Sequence, residues 1–401
     1  MDNGAPVFNY VELAGGRLSA GAPSRRLVLS AVFSTSLGVG LIFGFQPPLI
    51  ALILSRLGYS SFAIGAVTAA SLIAVILCGP FYPRIIVRLG LKRCIVSGIL
   101  FAAVILLLMP LWPSVPVWLA LRFIAGCALG LVWIASEIWM NSASGTESRG
   151  TVMGVYGTVF SIGIVAGPIL LEFTGTQGAR PFVIGAACLI LTLLPLGVLR
   201  RVTSAAQAFT PLRGLSGALK AAPIVMLAAL VAGLVESADL TLLPLYGLQS
   251  GLDEPAALLL VAVFMAGNVV LQVPIGLLAD RYGRKTLLAV CAVTSSIGPL
   301  LLQRCLGAPL LLWPLLFIWG GTLYAFYSQG VALLGEEFAV ENLPSANTLF
   351  VMVYCLGGVI GPSTGGIAMD LWPNRGLPVL LSGAALLMLL GLALSGGRRR
   401  A

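Results

Sequence analysis

Apolar residues run along this chain in blocks too long for a soluble helix. The first block follows Arg25-Arg26 and continues from Leu27 to about Leu54. About 20 apolar residues in a helix cross a hydrocarbon core, so the block predicts a spanning helix. The apolar segment of a cleaved leader is only about 7–15 residues long. Broken at charged or Pro/Gly-rich junctions, the chain yields twelve such blocks: approximately 27–54, 61–80, 94–112, 116–140, 152–173, 181–199, 221–246, 255–278, 287–303, 309–333, 346–368 and 377–395. The connections are short, and the longest polar stretch, Arg200 to Lys220, lies mid-chain. The expected architecture is all-α: a cytoplasmic tail (1–26), a six-helix bundle (27–199), a cytoplasmic linker (200–220), a second bundle (221–395) and a basic tail (396–401).

Composition agrees with this pattern. Of 401 residues, 59% are hydrophobic and 9% charged, against about 25% charged in soluble domains. A cytosolic enzyme and a disordered chain are both excluded. The net charge of +9 could point to nucleic acid, but position decides otherwise. With the N-terminus inside, the inner segments hold Arg17, Arg25 and Arg26, then Arg84, Arg88, Lys92 and Arg93, Arg149, the linker's Arg200, Arg201, Arg213 and Lys220, then Arg281, Arg284 and Lys285, and Arg398 to Arg400. The outer loops keep only Arg56, Arg180, Arg304 and Arg375. Such asymmetry predicts both termini in the cytoplasm and needs no nucleic acid.

The seven cysteines are widely spaced and lie mostly in apolar runs, as expected of small packing residues. Nothing suggests a metal site. There is no histidine, so proton chemistry falls to carboxylates. No G-x-x-x-x-G-K-[ST] motif or other cofactor signature is present.

The two halves repeat. Arg88-Leu-Gly-Leu-Lys92 lies opposite Arg281-Tyr-Gly-Arg-Lys285 at an offset of 193, and Gly163 to Pro168 lies opposite Gly357 to Pro362 at 194. A doubled six-helix unit is the architecture of a rocking transporter, with its site between the halves near mid-membrane.

Gly276-Leu-Leu-Ala-Asp280-Arg281-Tyr-Gly283-Arg284-Lys285 resembles the loop signature of the major facilitator superfamily, G-x-L-a-D-R-x-G-R-K/R, at every defining position. The first-half copy has Pro83 for the Gly and Val87 for the Asp. Arg122-Phe-Ile-Ala-Gly126 is similar to that superfamily's fourth-span R-x-x-x-G element. Gly357 to Gly366 resembles the G-x-x-x-G-P-x-x-G-G element of its antiporters. In those antiporters the element sits in the fifth span, which here keeps only Gly163, Gly167 and Pro168, with Leu171 and Glu172 at the paired-glycine positions. The resemblance implies a twelve-span monomeric carrier in the plasma membrane (the inner membrane of a bacterial cell), with no enzymatic activity. It implies that the Asp280–Lys285 turn is a gate latch; the alternative is a plain positive-inside anchor. It implies that the first, fourth, seventh and tenth spans line the cavity, which nominates Trp133, Trp319, Tyr324, Tyr327 and Gln329. Gln46 joins them because it aligns with Asp239 at offset 193.

Charges within spans are expensive and usually line a cavity. They are Arg122, Glu137, Glu172, Glu236 and Asp239. Glu236 and Asp239 are three apart, share a helix face and do not both ionise easily in a low dielectric. They are proton-coupling candidates together with Arg122 and Glu137; alternatively they bind a cationic substrate or bridge to Arg122, or Glu236 faces a polar gap near the helix end. The expected function is proton-coupled transport of a small organic solute, a cation or neutral amphiphile, with export favoured over uptake. A receptor or membrane enzyme is the remote alternative.

Overall fold

The computed structural model describes residues 25–143, 149–198, 222–338 and 343–397. The expected tail up to Ser24, the linker 200–220 and Arg398 to Arg400 lie outside these residues. Among the described residues, twelve helices are long and apolar enough to span a membrane: Leu27–Arg56, Ser61–Leu89, Leu91–Leu111, Val115–Met140, Val155–Thr174, Arg180–Gly197, Pro223–Gln249, Glu254–Tyr282, Arg284–Cys305, Pro309–Glu337, Ala346–Leu371 and Gly376–Leu394. They are called the first to twelfth spans below. No strand occurs among the described residues.

Several spans run past their expected ends. The second continues through a 3₁₀ turn at Gly79–Phe81 into the helix Tyr82–Leu89. The eighth and tenth carry Asp280 and Glu336 within their last turns. Long charged side chains keep their heads in water while the backbone stays helical, so a charge ends the apolar block without ending the helix.

Two turns define one face of the molecule, called here the basic face. Gly90 ends the second span at φ 80°, and Gly283 ends the eighth at φ 89°. This backbone region favours glycine, and the two positions are 193 apart, as the sequence repeat requires.

Glycine seams hold each half together, and they too are repeated. A Cβ on Gly163 would strike the Leu37 carbonyl, and one on Gly40 the Phe160 carbonyl; these positions join the first and fifth spans. The equivalents at offsets 193 and 194 are Gly357 on Leu230 and Gly233 on Tyr354, which join the seventh and eleventh. Gly126 on Ser71 and Gly320 on Phe264 repeat the same way. Small residues let backbones approach closely, and Gly163, Gly167, Gly357 and Gly361 of the Gly-Pro elements pack within their halves.

The halves meet most tightly at the face opposite the basic turns, the far face. There Gly65 abuts the Pro362 carbonyl and Gly366 the Ser61 carbonyl. All seven cysteines are free thiols, and Cys78 and Cys127 face each other at 3.2 Å between the second and fourth spans.

Candidate functional site

A cavity of about 440 Å³ lies between the halves, lined by the first, second, fourth and fifth spans on one side and the seventh, eighth, tenth and eleventh on the other. Its volume suits a drug-sized ligand.

On the first-half wall, Phe43, Trp133 and Phe160 pack as an aromatic trio, with Trp133 and Phe160 stacked at 6.4 Å between centroids. Trp133 donates its indole N–H to Glu137 at 2.8 Å, which holds a half-buried carboxylate in the cavity wall. Arg122 is 5% exposed. It donates to Gln46 and, at 2.8 Å, to Ser71, so one guanidinium ties the first, second and fourth spans together.

The opposite wall carries the matching positions. Glu236 is offset 193 from Phe43, Tyr327 is 194 from Trp133, and Tyr354 is 194 from Phe160. Where the first half has an aromatic trio, the second has a carboxylate and two phenols. Tyr354 donates to Glu236 at 3.0 Å. Tyr327 meets Tyr354 edge-on at 5.1 Å and stacks on Tyr324 at 5.7 Å.

The structure thus brings Gln46, Arg122, Trp133, Glu137, Glu236, Tyr324 and Tyr327 to one cavity. It separates three nominated residues from it. Asp239 is fully buried off the wall, and neither of its carboxyl oxygens has a hydrogen-bond partner among the described residues. Trp319 packs its ring against Phe264 at 4.8 Å and over Gly298. Gln329 instead accepts from Arg284 at 3.1 Å. The alternative of a bridge from Arg122 to the acid pair is not seen among the described residues, where its partners are Gln46 and Ser71. Glu172 is exposed near the far-face end of its span.

At the basic face, Arg284 is a hub. It meets Asp280 at 3.1 Å and Glu336 at 2.7 Å, while Lys285 meets Glu337 at 3.3 Å. Arg281 lies over the Tyr282 ring, and Gly276 has open surroundings. Every one of these contacts stays within the second half. In the first half, Val87 stands exposed where the acid would be.

Sequence reasoning missed Tyr354, Phe43, Phe160 and Ser71. The repeat carried the signal for two of them: Phe160 and Tyr354 match at the offset that aligns the Gly-Pro elements.

Two six-helix bundles of one repeated design, glycine-seamed within and enclosing a solute-sized cavity between them, define a membrane carrier. The model of the Major Facilitator Superfamily matches residues 28–262 and 225–400, and the chain belongs to that family. It is 26% identical to the MFS-type transporter YfkF of Bacillus subtilis (strain 168) over 348 residues, covering 84% of this chain and 88% of that protein. An MFS-type transporter of Yersinia enterocolitica serotype O:8 is 27% identical over 354 residues, covering 85% and 89%. Among solved structures, the nucleoside transporter NupG superposes with a TM-score of 0.75 at 16% identity, covering 92% of this chain and 98% of that one.

Proposed function

We propose that this carrier exchanges a small organic solute, a cation or neutral amphiphile, against protons by alternating access. In this reading it works as a monomer in the plasma membrane, with both termini cytoplasmic and export as its direction. The observation that carries the reading is Glu236, a mid-span carboxylate 8% exposed in the cavity wall, with sealed Asp239 one turn away. A carboxylate open to the cavity can hold either a proton or a cationic solute, so the two compete at Glu236. The cavity's acids, Glu137 and Glu236, outnumber its one base, Arg122, and aromatic faces around them suit an organic cation. Uptake of a neutral metabolite is the second reading, favoured by the uncharged polar Gln46, Ser71, Gln272 and Asn347 in the same wall.

Reconstituted protein tests the reading. Asp239→Asn should abolish transport driven by a pH gradient while keeping solute counterflow, and Glu236→Gln should abolish the first and weaken the second. Full pH-driven transport in both variants would overturn it. The sign of a pH gradient that accumulates solute separates export from uptake.

A further inference from the structure

Behind Glu236, away from the main cavity, lies a second space of about 10 Å³ between the seventh, eighth and tenth spans. That is at the lower end of what one water occupies, about 10–15 Å³. Its walls include Glu236, Asn268, Tyr324, Phe264, Leu323 and Gly320. Asn268 is 3% exposed, and its side-chain oxygen has no hydrogen-bond partner among the described residues. An amide oxygen buried in this way needs a donor, and Glu236 is the one carboxylate lining both spaces.

The repeat makes the arrangement more telling. At offset 193, Glu236 answers to Phe43 and Asn268 to Val75. At these positions the first half carries two apolar side chains, both of which line the main cavity, so the repeated design does not require polar groups there. The second half alone places a carboxylate and an amide around a water-sized space.

We propose that this space holds a single water bridging Asn268 to Glu236, and that Asn268 is a positioning residue for that carboxylate. The water gives Glu236 a second hydrogen-bonding address. On the cavity side it accepts from Tyr354; on the rear side it meets water and the Asn268 amide. Solute arriving in the cavity can then turn the carboxylate to the rear without stranding it in hydrocarbon. The other titratable groups near Glu236 are Asp239 on its own helix, Tyr324 and Tyr327 from the tenth span, and Tyr354 from the eleventh. The proposal rests on the proton-coupled reading above, and its test separates the two.

Asn268→Val copies Val75 and removes the polar group; Asn268→Ser keeps a hydroxyl and room for water. Both are reconstituted and assayed for pH-driven transport and for counterflow without a gradient. The expected result is at least a tenfold loss of pH-driven transport in Asn268→Val, with counterflow within twofold of the parent and Asn268→Ser close to the parent in both. Unchanged pH-driven transport in Asn268→Val, or an equal fall of both activities in folded protein, overturns the proposal. If Asn268→Val does not fold, the near-isosteric Asn268→Leu carries the same two outcomes. A parent protein that shows counterflow but ignores the pH gradient instead overturns the proton-coupled reading itself.

Discussion

Asp370 and Thr176, 194 residues apart, each tie their own half to the start of a span in the other half. Asp370 ends the eleventh span and accepts from the backbone N–H groups of Ser61 and Phe62, at 2.9 and 3.0 Å, where the second span begins. Thr176 follows the fifth span and donates to Glu254, where the eighth begins, and Glu254 is 193 residues beyond Ser61. Both clasps cross between halves at the far face. A carboxylate at a helix start satisfies orphan N–H groups and complements the helix dipole.

Removing that cap should loosen the far face. A cap of this type contributes about 1 kcal/mol, so Asp370→Ala should shift the balance towards far-face opening by roughly fivefold. Spin labels at Tyr59→Cys and Trp372→Cys in a cysteine-free background report the distance between the two helix ends. An unchanged distance distribution would exclude the clasp role.

The second clasp should be weaker and sensitive to salt. Arg56 joins Thr176 to Glu254, and the charged side chains are 36% and 32% exposed. Pairs this exposed contribute about 0–1 kcal/mol. Glu254→Gln should therefore open the far face less than Asp370→Ala, and its effect relative to the parent should fade near 1 M salt, where the Debye length is about 3 Å. The double swap Arg56→Glu with Glu254→Arg should restore closure.

Glycines at the seams and glycines in the open should respond oppositely to added bulk. Gly361→Val drives its side chain into the Leu234 carbonyl and should cost about 1–3 kcal/mol or more, as overpacking does. Gly276→Ala has open surroundings and should leave the thermal unfolding midpoint of the purified protein nearly unchanged.

Glu137 should discriminate by charge. A hydrogen bond to a charged group contributes about 1.5–3 kcal/mol. Glu137→Gln should thus weaken binding of an organic cation by roughly tenfold or more, leaving a neutral analogue of the same shape within twofold. Calorimetric titration of both ligands checks the ratio.

The fold was legible because its determinants are local. A lipid-crossing helix needs a long apolar run, and the turn at Gly283 needs a residue that tolerates positive φ. Both requirements show in the one-letter string, as does the repeat. The cavity wall was legible only in part, because a span's membership says nothing of its rotation. On the tenth span the wall residues are Tyr324, Tyr327, Ser328 and Val331, the i, i+3, i+4, i+7 stripe of one face. Trp319 and Gln329 fall off that stripe, at roughly 100° per residue. The same rotation explains Asp239: Gly233, Glu236, Ser237 and Leu240 face the cavity, and Asp239 points away. Tyr354 sits in a span outside the four expected to form the wall, so only its match to Phe160 could have nominated it.

Glu236 belongs to two compartments at once, and that imposes a symmetry on any ligands that meet it. If a bound proton makes solute bind tenfold more weakly, then bound solute must make the proton bind tenfold more weakly, about 1.4 kcal/mol in either direction. Neither partner controls the other. On the proposed exchange of solute for protons, the concentrations on the two sides of the membrane therefore set the direction of net transport.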